Sequence, residues 1–148
     1  MMQSADQSSL LVQVETRYRV LLIVWFAFVL SIGIYLVISL FIHRPNGDDG
    51  QNRLLTFMFA AAGTFTTIVS TVIKQKFLTQ SAERQRPELV QTGYVVAFAL
   101  SETAAILGLM DRMITGNRYY YVLLIIAAIG MLLHWPRRDH LLAAYYKR

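Results

Sequence analysis

Glu102 is the residue whose type and setting most directly suggest chemistry. It stands in YVVAFALSETAAILGLM, Tyr94 to Met110, twelve residues after Val90 and eight before Met110. No other ionisable side chain falls deep inside an apolar run of the chain. An acid so placed is costly to keep, and it marks a point where protons, cations or partner side chains meet. Desolvation disfavours its charged form, so a proton is expected on it near neutral pH unless hydrogen bonds or a cation compensate. The candidate compensators are Thr64, Thr67 and Thr71 of the preceding apolar segment and the flanking Ser101 and Thr103. Two roles follow from these residue types. One is reversible binding of a proton or cation at Glu102 with Thr103, Thr64 and Thr67. The other is a permanently protonated acid acting as interhelical glue, worth about 1 kcal/mol.

The elements that must hold this carboxylate are apolar helices. Of the 148 residues, 55% are hydrophobic and only 16% charged, and mean hydropathy is +0.44. A soluble domain carries nearer a quarter charged residues. Four runs reach the roughly 20 residues needed to cross a hydrocarbon core of about 30 Å, or come close to it. They are residues 18–42, 54–73, 90–110 and 119–135. The expected fold is therefore an all-α integral membrane protein with four transmembrane helices, in the membrane domain 17–136. Residues 1–16 are expected as a loose N-terminal tail. Residues 137–148 (RRDHLLAAYYKR) are expected as an interfacial tail with Leu141, Leu142, Tyr145 and Tyr146 on its apolar side. The segment 43–52 (HRPNGDDGQN) reads as an exposed loop.

The second run differs in kind from the first. Ala60, Gly63/Thr64, Thr67 and Thr71 recur along it at helical spacing as one small, partly hydroxylated stripe. The third run carries Ala97, Ser101, Ala104/Ala105 and Gly108 at similar spacing. Small residues let helices approach closely in lipid, where no hydrophobic force drives them together. These two runs are expected to pair as an antiparallel hairpin. Arg17, Arg19, Lys74, Lys76, Arg84, Arg86, Arg137, Arg138, Lys147 and Arg148 fall on one side of such a topology, and Arg44, Arg53, Arg112 and Arg118 on the other. Ten cations against four put both termini and the loop between the second and third runs in the cytoplasm.

The stretch from Leu78 to Leu109 resembles the second half of the proteolipid, or subunit c, hairpin of rotary ATP synthases. Arg84, Gln85, Pro87 and Glu88 match that family's basic cytoplasmic turn, with Arg86 as an interruption. Ala99, Leu100, Glu102, Ala105, Ile106 and Gly108 match its carboxylate helix. The resemblance implies that Glu102 occupies the ion-binding position and that the chain assembles as a homo-oligomeric ring, alone or with other membrane-complex subunits. It covers only the central hairpin. The first and fourth runs are additions, and a single Gly63 stands where the family has a glycine repeat. An accessory membrane protein that oligomerises through this hairpin without transporting ions is the alternative expectation.

Other classes are disfavoured. The chain has no cysteine, and His43, His134 and His140 form no cluster with metal-ligand spacing, so no metal or cofactor is expected. His134, beside Trp135 and Pro136, reads as an interfacial anchor, and Asp111–Arg112 as a helix-end pair at the interface. No nucleophile–base set or phosphate loop marks an enzyme. The net charge of +5 is spread over segment ends, which suits anionic lipid rather than nucleic acid. The expected location is the lipid bilayer of a bacterial inner membrane.

Overall fold

In the computed structural model, which describes residues 2–42 and 52–145, the chain is helical almost throughout. Residues 43–51 of the expected loop 43–52, and 146–148 of the expected tail, lie outside the described residues. Among the described residues there are five helices and no strand: α1 (Met2–Phe41), α2 (Asn52–Arg84), α3 (Pro87–Thr115), α4 (Tyr121–Leu133) and α5 (Arg138–Tyr145).

Among the described residues three stretches are long and apolar enough to cross a membrane: Leu10–Phe41 and Arg53–Arg84, of 32 residues each, and Pro87–Thr115, of 29. The fourth run is different. α4 has 13 residues, about 20 Å at 1.5 Å per residue, and α5 follows after a bend of 45°. Pro136 accounts for the break. It has no N–H to continue the ladder, and it pushes Trp135 out of the α region.

α1 is one continuous helix of 40 residues, so the expected loose tail at 1–16 is instead its first turns. The reason is a buried stripe that begins inside that segment. Val14, Leu21, Trp25, Ile32 and Ser39 are buried, and Tyr18, Phe28 and Tyr35 pack partly buried between them. Their spacing alternates four and three residues, the heptad seam of helices packed side by side. α3 repeats the pattern with Val90, Tyr94, Ala97, Ser101, Ala104, Gly108 and Asp111, all buried. It is the central element and touches each of the other four helices.

The α2–α3 hairpin forms as the small residues suggest. A Cβ added at Gly63 would meet Leu123 Cδ2 at 2.7 Å and Ala104 Cα at 3.5 Å. A Cβ at Gly93 would lie 2.7 Å from Phe77 Cβ. The turn closes over Gln85 in the left-handed region (φ 51°), with Arg86 N–H donating to the Ser81 carbonyl at 3.1 Å and Pro87 opening α3. Proline suits this first helical position because its missing N–H would have had no partner there. α5 differs from the expected tail in packing part of its apolar side into the bundle. Leu141 and Ala144 are fully buried, and Arg138 reaches Glu15 of α1 at 3.4 Å. The segment folds back onto the end of the bundle because its apolar side finds α1, α2 and α3 there.

Candidate functional site

Glu102 projects from the middle of α3 and is half-buried. Its partners are on α1. Ser31 Oγ and Tyr35 Oη both donate to Glu102 Oε1, the tyrosine at 3.0 Å. Ser31 and Tyr35 are one helical turn apart, so both hydroxyls face the same point of α3. Among the described residues Oε2 accepts no hydrogen bond. That leaves one oxygen of the carboxyl satisfied twice and the other without a hydrogen-bond partner among the described residues.

The hydroxyls expected to compensate the acid are elsewhere. Thr103 Oγ1 donates to the Ala99 carbonyl of its own helix at 2.9 Å. Thr67 does the same to Gly63 at 3.0 Å, and Thr64 is exposed on the outer side of α2. The physical reason is rotation about the helix axis. Ser101 belongs to the buried stripe of α3, and each residue turns the helix by about 100°. Glu102 is therefore carried off that stripe to α1. Ser31 and Tyr35 stand in the sequence as an i, i+4 hydroxyl pair inside the apolar run of α1.

The packing residues lie where close approach requires them. Gly63, Ala97, Ser101, Ala105 and Gly108 are buried, and Ala60 is partly covered. Of the turn residues, Pro87 is buried while Arg84, Gln85 and Glu88 are exposed. Glu88 accepts from Arg17 of α1 at 2.9 Å.

A second polar group was not anticipated. His134 is fully buried at the end of α4, so it is not an interfacial anchor. Its Nε2 lies 2.7 Å from Ser70 Oγ, and Ser70 Oγ donates to the Thr67 carbonyl at 2.6 Å. With the serine proton so engaged, Nε2 is the donor, and Nδ1 is left buried without a partner. Ser70 Oγ is also 3.4 Å from Ser101 Oγ. Nearby, Tyr94 Oη lies 2.7 Å from His140 Nδ1 and accepts from the Arg137 N–H at 3.2 Å.

Asp111 also differs from the expected interface pair. It is fully buried and does not pair with Arg112. It accepts from Thr56 at 2.9 Å, Thr115 at 2.7 Å and Asn117 at 2.5 Å. Arg112 instead donates to the Ile42 carbonyl at 3.2 Å and lies over the Tyr120 ring at 5.2 Å. This set of bonds ties the ends of α1, α2, α3 and α4 together. Among the described residues no group of three or more His, Asp or Glu could hold a metal ion.

No family model matches the sequence, and neither a curated protein nor a solved structure is found similar to it.

Proposed function

We propose that this chain is a small oligomeric membrane protein in which Glu102 binds and releases a proton or a cation within the bundle. The observation that carries this is the convergence of Ser31 and Tyr35 on Glu102 Oε1 with Oε2 unengaged. Two hydroxyl donors on one oxygen stabilise the carboxylate among the surrounding apolar side chains, and the second oxygen is the one open to a proton or a cation. The likeness of ALSETAAILGL to the carboxylate helix of the proteolipids supports the same role. In this proposal the carboxyl is enclosed by α1 of its own chain, whereas the hairpin family has no such helix.

Four crossings complete the proposal, with α4 and the residues that follow it as the fourth. Both termini and the α2–α3 turn are cytoplasmic, as the ten-to-four distribution of cations favours. Oligomer contacts run along the outer side of α2, where Phe57, Ala61, Thr64, Phe65 and Ile68 are exposed. Dicyclohexylcarbodiimide, which attacks protonated carboxyls in apolar surroundings, tests the site. The expected result is an adduct at Glu102 that weakens as pH rises and is absent from Glu102→Gln. No adduct at any pH, together with a Gln variant that assembles and behaves normally, refutes an ion site.

A second proposal has its own support. Both donors to Glu102 come from one helix, which is the arrangement expected of a fixed bond pinning α1 to α3. In that case the protein is a structural or accessory subunit that transports nothing. A monomeric particle in mild detergent refutes both forms of assembly.

A further inference from the structure

At the charged end of the bundle, α1 and α5 enclose an open groove of about 750 Å³. Its walls are apolar, among them Val12, Val20, Ile23 and Leu142, and Val20 and Ile23 continue down α1 among its exposed apolar side chains. Part-way along stand two guanidiniums, Arg19 and Arg138, both held by one carboxylate. Glu15 Oε1 accepts from Arg19 at 3.2 Å, and Glu15 Oε2 is 3.4 Å from Arg138. Arg138 also lies over the Tyr18 ring at 4.6 Å.

We propose that this groove binds an anionic phospholipid, with the phosphate on the guanidinium N–H groups of Arg19 and Arg138 that Glu15 does not engage and an acyl chain along Val20 and Ile23. Charge complementarity selects this occupant. Among the described residues that line the groove two cations share one anion, so their charge is net positive. A second copy of the chain would bring the same positive excess against it. A planar guanidinium held in place by a carboxylate and a ring meets phosphate in a fork of donors. A zwitterionic lipid supplies the same acyl chain but cancels the attraction with its own cation.

The test uses the full chain in mild detergent and a fluorescent short-chain phosphatidylglycerol, with phosphatidylcholine of the same chain length as comparison. Phosphatidylglycerol is expected to bind more tightly than phosphatidylcholine by about tenfold. Arg19→Gln with Arg138→Gln should remove that preference. Arg53→Gln with Arg118→Gln, which takes the same charge from elsewhere in the chain, should keep it. Ile23→Trp, which obstructs the groove without touching a charge, should weaken binding of both lipids. Equal binding of the two lipids overturns the proposal, as does equal loss in the two double variants. A mass of two chains that the Ile23→Trp variant returns to one also overturns it, in favour of a second copy as the occupant.

Discussion

Glycine-to-alanine exchanges at positions 33, 63 and 108 test whether α2, α3 and α4 pack as described. A new methyl group is the same perturbation at each site, and only its surroundings differ. At Gly33 it meets nothing within 4 Å. At Gly63 it meets the end of a flexible side chain, Leu123 Cδ2, at 2.7 Å. At Gly108 it meets Leu123 Cβ at 2.9 Å and the Tyr120 carbonyl oxygen at 3.1 Å, neither of which can turn aside. Alanine is favoured over glycine inside a helix by about 1 kcal/mol. Overpacking costs about 1–3 kcal/mol where neighbours cannot yield. Gly33→Ala should therefore gain up to about 1 kcal/mol, Gly63→Ala should be near neutral, and Gly108→Ala should lose about 1–2 kcal/mol. At roughly 2–4 °C per kcal/mol for a chain of this size, Gly108→Ala should unfold some 2–8 °C below the parent. The assay is thermal unfolding in one detergent, followed by tryptophan fluorescence. Equal stability of the Gly108 and Gly33 variants would show that α3 and α4 do not meet at this contact.

Two other exchanges are read in the same assay. Trp25→Phe removes the indole N–H that donates to the Met131 carbonyl at 2.9 Å in a buried site, and it should cost about 1–2 kcal/mol. No loss would mean that α1 does not dock on α4 through this bond. Ser70→Ala and Ser81→Ala delete the same hydroxyl from two buried sites of α2. Only Ser70 has side-chain partners, and Ser81 Oγ has no partner at all. The first should lose about 1–3 kcal/mol by leaving both ring nitrogens of His134 without a bond, and the second should be neutral or slightly stabilising. The reverse order would contradict the placement of His134.

The elements were legible because each depends on local composition. Apolar length marked the helices, and the small residues of α2 and α3 marked their pairing. Boundaries that depend on distant partners were not legible. Val14 is in α1 because its side chain is buried in a stripe that runs to Ser39. Leu141 and Ala144 are in α5 because the bundle offers them a place to be buried. An amphipathic segment has the same sequence signature whether its apolar side meets lipid or protein.

The candidate site divides in the same way. Glu102 was identifiable as a carboxylate in an apolar helix from its position alone, since the cost of such an acid depends on the residues around it in the chain. Which groups answer it was decided by the rotation of α3. With Ser101, Ala104 and Gly108 turned into the bundle, residue 102 meets α1, and Ser31 and Tyr35 rather than Thr64 and Thr67 supply its hydrogen bonds. His134 illustrates the converse. Beside tryptophan and proline it has the sequence appearance of an interfacial residue, and only the packing of α4 against α2 buries it next to Ser70. Sequence by itself determined the three long apolar helices and the presence of Glu102 within one of them, because these are properties of single segments. Tertiary structure alone decided the acid's partners, because which side of a helix faces which neighbour is a property of all of them together.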